Sequence, residues 1–151
     1  MRISMTAVAG IFCLALVSGP VFAADYNAGV TAKVLSKTST ASNGEKLEYL
    51  KTASAEVTSM AIDIAPGCET GWHLHEVPVY AYVVSGTLVV DMADGKTYEF
   101  REGQVILEVM HTPHNGINRG NVPVKLIAFY AGEKDKPIVV KIPKPASATL
   151  H

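Results

Sequence analysis

Apolar and polar residues alternate along most of this chain, in short stretches that end at glycine, proline or asparagine. In the clearest stretch, residues 57–64, the apolar side chains of Met60, Ile62 and Ile64 fall on every second position. A period of two is typical of β-strands, and no segment after Ala24 keeps a helical period over several turns. The pattern predicts strands over residues 30–34, 47–51, 57–64, 79–84, 87–92, 96–100, 104–110, 122–130 and 138–140.

Turn-forming dipeptides separate the predicted strands. Asn43-Gly44 is a strong signal for a tight hairpin, and Pro66-Gly67, Ser85-Gly86 and Asp94-Gly95 mark further turns. Thr112-Pro113 breaks another apolar run. There is no internal repeat and no linker long enough to divide the chain. These features predict an all-β sandwich or barrel in one domain.

The first 23 residues have the composition of a secretory signal peptide. Arg2 is followed by the apolar run 8–17, then by the helix-breaking pair Gly19-Pro20 and the small-residue site Val21-Phe22-Ala23. Cleavage after Ala23 fits best, with cleavage after Ala24 as the alternative. The run is too short to span a bilayer, and no later stretch is long and uncharged enough. We therefore expect a folded domain over residues 24–151, periplasmic or secreted, without membrane insertion.

Charge and cysteine content exclude two classes of protein. Without Arg2 the 13 Lys and Arg become 12, against 14 Asp and Glu, so the net charge is about −2. This charge, with no basic stripe along the chain, argues against a nucleic-acid-binding protein. Cys13 would leave with the signal peptide, and Cys68 alone cannot form an internal disulfide. Packing, metal binding or oligomerisation must then stabilise the domain.

Four of the 5 histidines fall in two groups. His73 and His75 are two residues apart, which places both side chains on one face of an extended segment. His111 and His114 form the second group, at the end of a different predicted strand. Two imidazoles from one strand and one from another can bind a divalent metal on one side and leave the other side free.

The spacing of these histidines and of four neighbouring anchors resembles the two motifs of the cupin family. Gly67, five residues, His73-Leu74-His75, ten residues and Gly86 resemble the first motif. Gly103, ten residues, His114, three residues and Asn118 resemble the second. The resemblance spans residues 67–118. It implies a double-stranded β-helix, a jelly-roll barrel, with a divalent metal bound by His73, His75 and His114.

Three positions depart from the cupin motifs. Val79 replaces the glutamate that is a metal ligand in the family, Val109 replaces a proline, and His111 replaces a glycine. A valine cannot bind a metal. Some cupin dioxygenases, including thiol and acetylacetone dioxygenases, bind metal with three histidines alone, so the resemblance still implies a metal site.

Two further residues are candidates for catalysis. Glu108 lies in the apolar run 105–109, and its side chain points either outward to solvent or into the barrel, as a fourth ligand, a ligand partner or an acid/base. Periodicity cannot decide, since apolar residues occupy both faces. Strand alternation places Glu76 away from His73 and His75. His111 is expected in a loop at the mouth of the barrel, with proton transfer as its alternative role.

Strand alternation also predicts the surroundings of the site. Tyr80 and Tyr82 should face outward, at a dimer interface, and Trp72 should pack over the barrel mouth or a partner subunit. The opposite face should line an apolar pocket for a small or aromatic substrate. The residues expected there are Val77, Val79, Ala81, Val83 and Met92.

The sequence is compatible with three functions. The first is a mononuclear non-haem metal-dependent dioxygenase that acts on a small organic substrate. The second is a non-catalytic periplasmic module that binds a metal or a small ligand. The third is a metal-assisted isomerase or lyase with Glu108 or His111 as its base.

The resemblance ranks Fe(II) first among the metals, narrowly, with Cu, Mn, Ni and Zn as alternatives. A single arginine near the N-terminus gives no twin-arginine signal, so the chain would fold and take its metal outside the cytoplasm. Nitrogen ligands there favour copper or zinc on affinity alone. The resemblance to small single-domain cupins implies a dimer, and we expect a homodimer that does not depend on Cys68.

Overall fold

The computed structural model describes residues 29–146. The chain divides into two units, residues 1–34 and 35–151. The described part of the first unit, residues 29–34, contains no strand. In the second unit the strands are β1 (Ala55–Ile64), β2 (His73–Leu74), β3 (Val79–Ser85), β4 (Thr87–Met92), β5 (Thr97–Arg101), β6 (Val105–Leu107), β7 (His114–Ile117), β8 (Val124–Glu133) and β9 (Val140–Lys141).

The strands form two antiparallel sheets in the order of a jelly roll. One sheet has the order β1-β8-β3-β6, and the other has the order β5-β4-β7-β2-β9. Consecutive strands mostly lie in different sheets, and β9 extends the second sheet at its edge. The all-β class and the jelly-roll barrel implied by the cupin motifs are therefore confirmed.

The core lies where the inner faces of the two sheets meet. Along β8, buried and more exposed residues alternate strictly, as period-two packing requires. Burying one large aliphatic side chain stabilises the fold by about 1.5–3 kcal/mol. The fully or nearly fully buried members of the core cluster include Val77, Val79, Ala81, Val83, Leu88, Ile106, Val124, Leu126 and Ala128.

Two residues shared with the cupin motifs have structural roles. Gly86 has φ of 80°, and a Cβ added there would lie 2.8 Å from the carbonyl oxygen of Pro123. Only glycine fits this turn between β3 and β4. The buried Asn118 side chain donates to the carbonyls of Ile64 and Val122 at 2.9 and 2.8 Å and accepts from Gly120 N–H. It thereby ties the end of β1 to the loop before β8.

The prediction of strands was wrong at two places near the N-terminus. Residues 30–34 and 47–51 form no strand, and Val30, Val34 and Leu35 are exposed. Apolar and polar residues alternate in these segments, but no neighbouring strand among residues 29–146 pairs with them, so no sheet forms there. The predicted turn at Asn43-Gly44 is present, and a single β-bridge between Thr40 and Lys46 closes it.

Strand β7, which the sequence analysis missed, follows the break at Thr112-Pro113. Residues 108–113 leave the sheet after β6, so the predicted strand 104–110 ends early at Leu107. The short segment 114–117 contains Asn and Gly, which are weak strand formers, and pairing with β4 and β2 imposes the strand. No helix among residues 29–146 is long and apolar enough to cross a membrane.

Candidate metal centre

Three buried histidines come together where β2 and β7 pair. His73 lies directly opposite His114 across the two strands, and His75 follows β2. Their side chains converge from both strands, with ring centroids 4.4 to 5.1 Å apart. One ring nitrogen of each lies within 4.8 Å of the others, a grouping that could hold a metal ion.

Backbone carbonyls fix the orientation of all three imidazole rings. Nδ1 of His73 lies 2.7 Å from Gly71 O, Nδ1 of His75 lies 2.7 Å from Ile138 O, and Nδ1 of His114 lies 2.8 Å from Thr112 O. A carbonyl oxygen only accepts, so each Nδ1 must carry the proton. The lone pair of each neutral ring is then on Nε2, which is the arrangement that metal-binding histidines require.

The Glu108 carboxylate completes the cluster. Its Oε2 lies 3.0 Å from His75 Nε2 and 3.1 Å from His114 Nε2. Glu108 directly follows β6, and its backbone N–H donates to Val79 O at 2.9 Å. Glu108 is therefore the cross-strand neighbour of Val79, the position of the missing glutamate. Of its two predicted orientations, the structure shows the inward one.

The electrostatics of the cluster demand a cation. Two Nε2 lone pairs facing a carboxylate would repel it, so either a proton or a metal ion must lie between them. Burial raises the pKa of Glu108, but the hydrogen bonds with His114 and His75 outweigh it and hold that pKa well below the ordinary value. Burial lowers the pKa of His114, but the bond to Glu108 raises it above the ordinary value.

His73 lies outside this carboxylate contact. Burial lowers its pKa to about 4, and the neighbouring imidazoles act in the same direction. A neutral His73 keeps its Nε2 lone pair at neutral pH. Three nitrogen donors and one carboxylate oxygen, with charge to compensate, fit a divalent transition metal. The structure brings the predicted ligands together, and their binding of a metal stays a prediction.

A cavity of about 50 Å³ adjoins the cluster. Its walls include His73, His75, His114 and Glu108, together with Tyr130 of β8 and several apolar side chains. The Tyr130 ring packs edge-on against His75, with centroids 5.6 Å apart. Burial and the negative charge of Glu108 raise the pKa of Tyr130 to about 12, so the phenol stays protonated.

The sequence analysis missed Tyr130 as a site residue. It treated the tyrosine only as the end of a predicted strand. A signal was present, because Tyr130 shares the inward face of β8 with Val124, Leu126 and Ala128. A polar aromatic side chain in a row of apolar ones is informative, since a buried hydroxyl usually needs a partner.

His111 lies away from the three buried histidines. It is exposed and lines an outer groove of about 320 Å³, to which Glu108 also contributes. Its φ is 56°, the left-handed conformation that the family's glycine adopts without strain. Its backbone N–H donates to His75 O at 2.8 Å, which holds the loop against the site. The loop position predicted for His111 is therefore found.

The predicted apolar pocket does not form as expected. Val77, Val79, Ala81 and Val83 face inward, but close packing between the sheets places them in the core rather than on the cavity wall. Met92 lines a second, smaller cavity of about 20 Å³, to which Glu108 and His114 also contribute.

The outward orientation predicted for Tyr82 is found, since its side chain is 37% exposed. Trp72 lines a separate groove of about 420 Å³. The carboxylate that pairs with the buried histidines is that of Glu108 rather than that of Glu76.

Sequence comparison identifies one family. A family model described as a cupin domain matches residues 60–130, which include all three buried histidines, Glu108 and Tyr130. No curated protein matches the chain at a significant level.

Solved structures share the fold. The polyketide cyclase RemF from Streptomyces resistomycificus has a TM-score of 0.51 and 20% identity, over 64% of this chain and 66% of that chain. Bacillus subtilis oxalate decarboxylase, described with Mn(II) centres, has a TM-score of 0.50 and 21% identity, over 57% and 24%. An oxalate oxidase in complex with glycolate has a TM-score of 0.48 and 22% identity, over 58% and 46%. The chain thus spans a quarter to a half of the oxalate enzymes, and at these identities the likeness concerns the fold.

The first prediction tests the ligand set. Replacing His114 by Ala should sharply reduce bound metal, since two imidazoles and one carboxylate hold a divalent ion much more weakly than the full set of four donors. The melting temperature should also fall, because a metal at 100 to 1,000 times its Kd contributes about 3 to 4 kcal/mol to the stability of the folded state. His111→Ala, the control, should keep wild-type metal content. Elemental analysis and calorimetry measure both quantities. Wild-type metal content and melting temperature in His114→Ala would refute the site.

Proposed function

We propose that this chain, which belongs to the cupin superfamily, is an exported metal-dependent oxidoreductase of the dioxygenase type that acts on a small organic substrate. The observation that carries the proposal is the convergence of three oriented imidazoles and Glu108 on a cavity between the two sheets. Such a donor set suits a divalent metal and needs no protein nucleophile. The cavity supplies space for a small molecule beside it.

Charge limits which molecules would bind there. Three neutral imidazoles leave the charge of a dication intact, and the Glu108 carboxylate cancels half of it. A single positive charge then remains in a largely buried site, which favours a singly anionic substrate group such as a carboxylate or an enolate. The cavity of about 50 Å³ admits only a few heavy atoms beside the ligands.

A carboxylate beside three imidazoles also influences the choice of metal. Oxygen ligands suit iron and manganese better than an all-nitrogen set does, whereas imidazoles alone suit copper and zinc. Fe(II) therefore stays first, with Mn, Cu, Ni and Zn as alternatives. A redox-active ion would supply electrons and a template for the substrate. The protein would hold and orient the substrate and exclude bulk water.

The position of Glu108 favours an oxidoreductase over an isomerase or lyase that uses it as a base. A general base must be free to take a proton from the substrate. Both of its histidine contacts engage the same oxygen, Oε2, and they hold its pKa low. A carboxylate so held is a poor base and a good ligand.

The second prediction tests this function. Oxygen uptake should follow addition of a diketone, catechol, flavonol or thiol to the Fe(II)-loaded protein. Glu108→Gln should lose metal, or lose turnover by more than about tenfold, because an amide is neutral and a weaker ligand. Glu102→Gln, in an exposed turn six residues earlier, is the matched control and should behave as wild type.

Other outcomes of this assay would favour the alternatives. A metal-loaded protein that consumes no oxygen with any substrate, yet binds a small ligand, would be a binding module. Conversion of a substrate without oxygen uptake would identify an isomerase or lyase.

We also propose a homodimer through the outer face of the four-stranded sheet. Outward apolar side chains there are strongly exposed: Val57 is 64% exposed, Val84 43% and Phe129 46%. They lie on β1, β3 and β8, which are neighbours in this sheet. A contiguous apolar face on a sheet is typical of an interface, and a second copy of the chain would bury it.

The third prediction follows from this face. Phe129→Lys should produce a monomer, because it places a charge at the centre of the apolar face. Cys68→Ser, which alters an exposed free cysteine in the loop between β1 and β2, should stay a dimer. Sedimentation velocity distinguishes the two. A monomeric Cys68→Ser protein would show that assembly depends on the thiol.

The fourth prediction concerns export. The leader 1–23 lies outside the described residues, and the proposal rests on its composition. Intact-mass measurement of the exported protein should give a chain that begins at Ala24 or Asp25. A mass that includes Met1 to Phe22 would contradict processing and favour an anchored protein.

A further inference from the structure

Val79 has two polar neighbours on the inner face of its sheet. The register of β3 and β8 pairs Val79 with Tyr130, and the Glu108 N–H bonds to the carbonyl of Val79 on the other side. Side chains of directly opposed antiparallel residues share a face and lie about 5 Å apart at Cβ. Glu108 and Tyr130 therefore flank the position where the family has its glutamate.

The Tyr130 hydroxyl has no hydrogen-bond partner within the described residues, although the residue is only 5% exposed. No fully enclosed side-chain oxygen lacks a partner in that part of the chain, so this hydroxyl must reach accessible space. The cavity beside the three histidines is the space that Tyr130 lines. The hydroxyl therefore takes its hydrogen-bond acceptor from the cavity, either a water molecule or a bound ligand.

We propose that Tyr130 binds the ligand of this site: its O–H group donates a hydrogen bond to an anionic oxygen of a small molecule held against the histidines. The inference rests on the proposed metal site and adds a residue that selects the ligand. Its class is a small oxyanion, above all a carboxylate. Glu108 compensates the metal on one side of Val79, and Tyr130 binds the incoming oxygen on the other.

The size of the cavity agrees with this class. A cavity needs roughly 10–15 Å³ of solvent-accessible volume to hold one buried water. The cavity of about 50 Å³ therefore has room for a few atoms of water size, which corresponds to a carboxylate group. A ligand with a single acceptor oxygen near Tyr130 would satisfy the hydroxyl and neutralise the remaining positive charge at once.

Formate and Co(II) provide a test that needs no turnover. The Co(II)-loaded wild type is titrated with formate and followed by its visible absorption, in parallel with Tyr130→Phe. The variant keeps the ring that packs against His75 and loses only the donor, so its metal content and melting temperature should match wild type. Formate should bind about tenfold to a hundredfold more weakly, the usual loss for a hydrogen bond to a charged group.

Two further variants complete the design. Tyr82→Phe, which removes a hydroxyl from the outer face of the same sheet, should bind formate as wild type does. Tyr130→Leu should show the same loss of formate affinity as Tyr130→Phe, with different packing.

Equal formate affinity in wild type and Tyr130→Phe overturns the proposal. It is also overturned if the Co(II)-loaded wild type does not bind formate, or if Tyr130→Phe loses metal rather than formate, since the hydroxyl would then support a metal ligand. Because no oxygen chemistry is measured, formate binding can succeed where the oxygen-uptake assay fails, and the two failures are distinguishable.

Discussion

The hydrogen bonds from three imidazole Nδ1 atoms to backbone carbonyls are the constraint on which the site depends. Each fixes one ring, and the three carbonyls come from different places: the segment before β2, the loop before β7 and residue 138 just before β9. The bonds of His73 and His114 are local, two residues apart, whereas the bond of His75 spans 63 residues, so only the orientation of His75 requires β9 to pair with β2. This dependence links the edge of the second sheet to the chemistry of its interior, and it explains why a short terminal strand matters to the site.

The sequence predicted the histidine cluster because spacing and strand periodicity are local properties. His73 and His75 share a face by alternation, and the glycine anchors set the turns that bring His114 beside them. The orientation of Glu108 could not be obtained in this way. Apolar residues occupy both faces of 105–109, and the chain leaves the sheet at Leu107, so only the tertiary bond to Val79 decides where the carboxylate points. Residues 30–34 and 47–51 failed for the opposite reason, since alternation without a partner strand forms no sheet.

Val79 replaces the glutamate of the cupin motif, yet the site keeps the negative charge that this replacement would remove. A carboxylate returns one strand away, at Glu108, so the cluster still has three imidazoles and one acid. The difference lies in the position of the carboxylate. It reaches the histidines from Glu108, on the β6 side of Val79, while the neutral donor Tyr130 lies on the β8 side. One side of the site is thus suited to compensate a cation and the other to meet an anion, which a glutamate at position 79 itself would not provide.

Protons and metal compete for the same cluster. Without metal, the half-buried Glu108 carboxylate is stabilised by a proton that it shares with His114, and this is why the pKa of His114 rises while that of Glu108 falls. A metal ion that binds the Nε2 atoms takes the place of that proton and releases it, so acid must weaken metal binding. The same positive charge also stabilises the fold, whether a proton or a metal ion supplies it. Folding and ligand chemistry therefore share one electrostatic requirement, a cation between two imidazoles and a carboxylate.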